Sequence, residues 1–227
     1  MGYFEDHQNH FSIKNERAKA RQVIAILEDA LGEEKLGRCT CLHVGCTEGT
    51  ITLALADHMR STVGLDVDLA SIEFAKRHYE NARCSFAHGD ATELPFDGEM
   101  FDIVVCNHIY NYVSNSQAMI NEIHRVLRGN GICYFAATQF GKDQAGYPTN
   151  NLNFQQLRKL VANKFSVIDY TIAVLKQPDL FKMRLSNFKT AIASCFHVLL
   201  MPVISFFPSY IWILRKQANS QGIYRFR

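Results

Sequence analysis

The segment Cys41-Leu42-His43-Val44-Gly45-Cys46-Thr47-Glu48-Gly49-Thr50 constrains this chain more than any other. A short apolar run breaks into a turn punctuated by glycine, and helix-forming sequence follows at once. Strand, tight loop and helix in that order build a doubly wound α/β sheet. In such a sheet a nucleotide-like ligand sits above the carboxyl end of the first strand, against the first turn of the helix. Gly45 and Gly49 fit the two needs of the loop, a positive φ and a backbone that a ligand can approach without meeting a Cβ.

The loop is not a dinucleotide fingerprint. That motif needs G-x-G-x-x-G, and Thr47 stands at the middle glycine, so a ligand without a pyrophosphate suits it better. Further signals follow in order. Ser61-Thr62-Val63-Gly64-Leu65-Asp66 reads as a second strand that ends in a carboxylate about 20 residues after Gly45, where an acid can grip a ribose diol. Then come Phe86-Ala87-His88-Gly89-Asp90-Ala91, Leu94-Pro95-Phe96, the apolar run Phe101 to Cys106 with Asn107, and Asn121 to Gly131.

That ordered set resembles the class I S-adenosylmethionine-dependent methyltransferases, in particular the UbiE-like group, over residues 36 to 140. The resemblance implies a Rossmann-like α/β fold: a seven-stranded, mostly parallel sheet with helices on both faces and the last strand antiparallel. It implies S-adenosylmethionine as cofactor. Gly45, Cys46, Thr47, Glu48 and Gly49 would line its methionine end, and Asp66, with Val67 beside it, would take the ribose hydroxyls. Asp90 and Ala91 would face the adenine, and Asn107 would close the cofactor site from the fourth strand. His108 and Tyr112 follow on the acceptor side, and are the candidate bases if the acceptor is a hydroxyl. For His108, a bland role in closing a turn is equally open.

The chain departs from the family at two places in the loop. Relatives carry an acid where His43 stands and a glycine where Thr47 stands. The acid helps to hold the cofactor's ammonium group; a histidine can do so only when neutral and suitably turned. Glu48 is the nearest replacement carboxylate, and His43 can equally be a satisfied core side chain. These departures motivate a rival reading, a non-catalytic binding or scaffold protein on the same fold.

A chain of 227 residues suits one α/β domain with some decoration. A net charge of +2 is too small to argue for nucleic acid as a partner, and no basic stripe and no Asn/Asp-Pro-Pro-aromatic motif after Asn107 is present to grip a flipped base. The seven cysteines include no CxxC pair, so free buried thiols in a reducing compartment are expected, with no metal site. No basic start leads into an apolar core at the N-terminus, which points to the cytoplasm.

Residues 1–35 are read as an N-terminal helical cap, with Ser12 capping a helix that runs to about Leu31. Residues 36–178 form the cofactor-binding core. Its helices are expected over Thr50 to Met59, from Asp68 or Ser71 to Tyr79, from Asn115 or Ser116 to Leu127, and over Phe154 to Asn163. Gly129 and Gly131 would end the third of these before a strand from Ile132 to Thr138, and a further strand would run from Phe165 to Leu175. The segment from Gln139 to Asn153 is short and polar.

Between Thr190 and Leu214 there is no Asp, Glu, Lys or Arg, a length that meets the requirement for crossing a membrane. Basic residues flank it. Three readings stand: a spanning helix, an amphipathic helix from about Asp179 to Met201 on a membrane surface, or a buried cap over the site. Pro202, Pro208 and a final strand over Tyr210 to Lys216 argue against a single crossing. Residues 179–208 are therefore expected to be an apolar helical insertion and 209–216 the last strand. The function expected is methyl transfer to a small-molecule acceptor, whether lipid, quinone-like or lipid-linked glycan, with peripheral contact at the inner membrane face.

Overall fold

Strands buried on both faces need continuous apolar sequence, and this chain supplies it at Thr40–Val44 (β1) and Phe101–Asn107 (β4), the centre of the sheet. The computed structural model describes residues 13–138, 154–173, 183–184 and 209–217. Around the central pair lie Ser61–Asp66 (β2), Cys84–His88 (β3), Leu127–Thr138 (β5), Phe165–Ala173 (β6), Met183–Arg184 (β7) and Ser209–Lys216 (β8). The strand order is β3-β2-β1-β4-β5-β8-β6-β7. Pairing from β3 through β5 is parallel, and β8 enters antiparallel between β5 and β6. This is the mostly parallel sheet with an antiparallel last strand that the sequence implies. Seven strands are of ordinary length; β7 adds a two-residue ladder at the edge.

The helices are Ile13–Leu31 (α1), Glu33–Leu36 (α2), Thr50–His58 (α3), Leu69–Tyr79 (α4), Ser116–Val126 (α5) and Phe154–Ala162 (α6). The two-residue period of the strands divides the core between the two faces. Leu42, Val44, Val104 and Cys106 pack with Ile120, Ile123 and Val126 of α5 and Leu157 and Val161 of α6. Cys41, Ile103 and Val105 pack on the other face with Ala20, Val23 and Leu27 of α1 and Ile51 and Leu55 of α3. A side-chain cap sets the start of α5, where Asn115 Oδ1 accepts from the Ala118 amide at 3.0 Å. Further along α5, Arg125 donates to the Phe96 and Leu94 carbonyls, and Glu122 accepts from the Leu94 amide, so the Leu94-Pro95-Phe96 loop is clamped to that helix.

Two boundaries differ from expectation. No turn separates α5 from β5: the helix stops at Val126 and the strand starts at Leu127. The surplus residues are taken up as an irregularity, with Phe101 opposite Leu127 but Ile103 opposite Ile132. Arg128 anchors this stretch by donating to Asp102 Oδ2 at 2.7 Å and to Thr40 Oγ1 at 3.0 Å. The helix expected from Asp179 to Met201 does not run through Met183–Arg184, which are extended and pair with Thr171 and Ile172. The remainder of 179–208 lies outside the described residues, as do Ser12, Cys195 and residues 139–153. Among the described residues no helix is long and apolar enough to cross a membrane. The six described cysteines are free and buried.

His43 ties β1 to α3. Its ring is 1% exposed, and Nδ1 lies 2.8 Å from Thr52 Oγ1. Burial lowers its pKa to about 4, so the ring is neutral at physiological pH. Because the folded-state value lies below the ordinary 6.5, the unfolded chain takes up a proton first as pH falls. Stability present above pH 6.5 is therefore lost on the way down to about pH 4, and a gap of this size corresponds to about 3 kcal/mol. In urea melts at pH 7 and pH 4.5, His43→Asn is expected to lose about 2–3 kcal/mol less than the parent over this interval. Parallel losses in the two proteins would show that His43 is not held neutral by the fold.

Candidate functional site

After β3 the chain crosses back to place β4 on the opposite side of β1. The connections leaving β1 and β4 therefore diverge, and the carboxyl ends of the strands border a crevice. A cavity of about 600 Å³ occupies it, the size of a small-molecule site. Each strand delivers residues to its wall: Gly45 after β1, Asp66 at the end of β2, Gly89 and Asp90 after β3, and Asn107 with His108 at the end of β4.

The β1–α3 loop holds its shape through Asp66. One carboxylate oxygen accepts from the Thr47 amide at 2.8 Å and the other from the Asp68 amide at 3.0 Å. Thr47 has φ of 46°, left-handed and unfavourable for a side chain with a β-branch, so the Asp66 bond secures a strained residue. Desolvation raises the Asp66 pKa, with the backbone donors opposing it. Asp90 is more open, and its Oδ1 accepts from both the amide and the hydroxyl of Thr92 at 2.7 and 2.8 Å.

Glycine is required at two positions here for reasons internal to the protein. Gly45 has φ of 76°, and a Cβ would lie 2.8 Å from Ile109 Cδ1. Gly49 has φ of 87°, and a Cβ would lie 2.6 Å from the Phe86 ring. The close approach inferred from the sequence is thus to the protein's own side chains.

At the acceptor-side rim, His108 adopts φ of 63° while its amide donates to the Ala136 carbonyl at 3.0 Å. Burial, and then the nearby Lys19 ammonium, lower its pKa to about 4. Tyr112, in a short 3₁₀ turn over Tyr110–Tyr112, is 45% exposed at the edge of the cavity.

The structure brings together Gly45, Thr47, Asp66, Val67, Asp90, Ala91, Asn107, His108 and Tyr112 around this one cavity. Three residues expected with them do not line it. Cys46 is buried under the loop among Ala56, Ile72, Ala75 and Phe86. Gly49 is buried where α3 starts, against Phe86. Glu48 is half-buried and not part of the cavity wall, and the pKa of its carboxyl is raised by desolvation and then by Glu16. Conversely, Glu16 and Lys19 of α1 do line the cavity. Glu16 is 8% exposed and accepts from Lys19 Nζ at 2.7 Å. The sequence carried a signal for it: Glu16 falls on the stripe of Ala20, Val23 and Leu27, an acid on the apolar face of a helix.

Comparison with known proteins bears directly on this arrangement. The family described as methyltransferase domain matches residues 42–135, from β1 into β5. A phthiotriol/phenolphthiotriol dimycocerosates methyltransferase of Mycobacterium ulcerans is 28% identical over 160 residues, covering 66% of this chain and 57% of that protein. The chain spans about half the length of the curated relatives it matches. Among solved structures, the PH0226 protein of Pyrococcus horikoshii superposes with a TM-score of 0.69 at 16% identity, covering 95% of this chain and 98% of the other. The [4+2]-cyclase SpnF superposes with a TM-score of 0.61 at 22% identity, covering 87% and 82%.

An adenosyl amino acid needs acceptors for its ribose and its ammonium group and an apolar wall for its base. The cavity offers carboxylates at the tips of β2 and β3, a buried carboxylate on α1, and apolar side chains from Leu65, Ala91 and Ile109. His43, whose buried Nε2 has no hydrogen-bond partner among the described residues, lines the same space. Residues 42–135 match the methyltransferase domain family, and the chain is similar to S-adenosylmethionine-dependent methyltransferases, whose cofactor the lining of this cavity fits.

Proposed function

We propose that the chain transfers a methyl group to an apolar, lipid-like small molecule at the rim formed by Asn107, His108 and Tyr112. The observation that carries this reading is the opening of Asp66, Asp90 and that rim into one cavity, with apolar side chains from Ile51, Leu65, Val67, Ile109 and Val113 around it. Asp66 accepts the ribose hydroxyls beside Val67; Asp90 and Ala91 face the adenine; Gly45 and Thr47 pass the methionine end. Bound cofactor supplies a methyl group already activated on a cationic sulfur.

What remains for the chain is to hold a nucleophile in line with that methyl and to keep water away. Asn107 and His108 sit at the end of β4, where the sheet fixes their backbones, so an acceptor docked there is oriented by a rigid element. A neutral His108 can accept a hydrogen bond from an acceptor hydroxyl. With a pKa of about 4 it is a poor proton acceptor at neutral pH, so positioning supplies most of the rate.

A lipid-like acceptor is supported by the name of the Mycobacterium ulcerans relative and by the charge-free run between Thr190 and Leu214 flanked by Lys182, Arg184 and Lys189. Such a run with flanking cations would give peripheral contact with the inner membrane face. The rival is a role without methyl transfer, favoured by His43 and Thr47 in the loop and by the kinship in fold to a cyclase.

Calorimetry with S-adenosylmethionine and S-adenosylhomocysteine separates the two, since a protein that binds neither is no methyltransferase. Asp66→Asn is expected to weaken both ligands by about tenfold or more, through the lost charge on a hydrogen-bonded acceptor. Incubation of the chain with methyl-labelled cofactor and a cellular lipid extract should place label in the organic phase; label confined to the aqueous phase would exclude a lipid acceptor. Once the acceptor is in hand, His108→Gln should lower turnover by less than about tenfold, because a general base is worth on the order of a hundredfold or more. A larger loss would make His108 the base.

A further inference from the structure

We propose that the methyl acceptor is an acidic hydroxyl, a phenol or an enol on an apolar skeleton, whose oxyanion is bound by Lys19 of α1. The inference rests on the methyl-transfer reading above and names the acceptor's chemical class and a residue that selects it.

Glu16 and Lys19 stand about one turn apart on α1, and both line the cavity. Lys19 Nζ donates to Glu16 Oε1 at 2.7 Å. The two ends of this pair serve different regions. Glu16 is the charge felt at Glu48 in the β1–α3 loop, whereas Lys19 is the charge felt at His108 after β4. The pair is therefore oriented, with its carboxylate toward the loop and its ammonium toward the rim of Asn107, His108 and Tyr112. The other carboxylates on the described wall, Asp66, Asp68 and Asp90, come from the ends of β2 and β3 and the residues just beyond them. One cavity thus has an acidic cofactor side and a cation at its acceptor side. The Lys19 side chain is 43% exposed against 11% for Glu16, so the ammonium is the end that a second ligand can reach.

The same rim is poor in proton acceptors. Asn107 does not titrate, His108 is buried and holds a proton only below about pH 4, and Glu16 is engaged by Lys19. An alkyl alcohol keeps its proton in water and would meet no base poised near neutral pH. A phenol is ionised to about one part in a thousand at pH 7 without help. An opposite charge within about 4–6 Å lowers such a pKa by about one to three units, which raises the anionic fraction at least about tenfold. Ile109, Tyr112 and Val113 give the ring or the enol's skeleton an apolar seat beside that cation.

In the transfer itself a lone pair of the oxyanion forms the O–C bond to the methyl carbon, and the S–C bond breaks with its electron pair left on sulfur. The hydroxyl proton has already passed to water. The products are a methyl ether and a neutral thioether, and no side chain has to change its protonation state.

The full chain is assayed with methyl-labelled S-adenosylmethionine and two probes of one shape, 4-nonylphenol and 4-nonylcyclohexanol. The phenol is expected to take label at least about a hundredfold faster at pH 7, the scale of a missing general base. Across ring-substituted nonylphenols, the midpoint of the rate–pH profile should move with each phenol's own pKa. Lys19→Gln is expected to raise that midpoint by about one unit and to lower kcat/KM at pH 7 about tenfold, with Lys19→Arg restoring most of the loss. Affinity for S-adenosylhomocysteine should change less than about twofold in both variants, which also shows that they are folded. A cyclohexanol as reactive as the phenol, or one midpoint common to all phenols, would overturn the inference by revealing a base in the protein. Loss of S-adenosylhomocysteine binding in Lys19→Gln would overturn it by assigning Lys19 to the cofactor. A chain that binds S-adenosylhomocysteine and labels a lipid extract but no phenol would also overturn it, with the methyl-transfer reading intact. A parent chain that binds neither cofactor nor product would overturn both.

Discussion

One carboxylate holds the site in shape. Asp66 ends β2 and receives amides from Thr47 on one side and Asp68 on the other. The first bond spans two connections of the sheet and keeps Thr47 in a left-handed conformation that a β-branched residue otherwise avoids. With the loop so fixed, α3 starts where Phe86 fills the space beside Gly49, and His43 below can reach Thr52. The position of the cavity follows from that local tie together with the reversal of strand order at β1.

Much of this was written in the local sequence. The order of strands and helices follows from apolar runs and their breaks, and β2 begins and ends where its own residues say it should, at Ser61 and Asp66. Convergence of Asp66 and Asp90 could be expected because strand tips on one edge of a parallel sheet share a crevice whatever the side chains are. The join between α5 and β5 was harder to see. Two glycines there suggest a turn, but Arg128 bonds across to Asp102 and Thr40, partners remote in the chain, and the strand is extended through the glycines. A local pattern carries no information about such partners.

The loop residues divide by a similar rule. Backbone position was legible for all five residues from Gly45 to Gly49, whereas the direction of each side chain was not. Cys46 turns down into the packing of α4 and β3, since a small apolar thiol gains more there than at a polar wall. Glu48 does not line the cavity, while Glu16, whose charge raises the Glu48 pKa after desolvation, does. Glu16 was missed because contact between α1 and the β1 loop is tertiary. Its one trace in the sequence, an acid on an apolar helical face, reads equally well as an imperfection of the stripe.

The charges on the cavity wall also bear on turnover. Among the described residues on the wall, Glu16, Asp66, Asp68 and Asp90 supply four carboxylates against the ammonium of Lys19, and His43 and His108 are held neutral, with pKa values of about 4. A field of that sign favours a ligand with positive charge on both its sulfur and its amino group. Under the proposed function, loss of the methyl would remove the charge from sulfur and leave the rest of the molecule unchanged. The product therefore loses the part of its binding that came from the wall around the sulfur, while keeping the contacts to its ribose, base and tail. Protonation of either histidine would work in the opposite direction, weakening the charged form selectively. Under the proposed function, burial of His43 and His108 would serve the chemistry as well as the packing, because it keeps added positive charge out of a space that would accept a cation and release a neutral thioether.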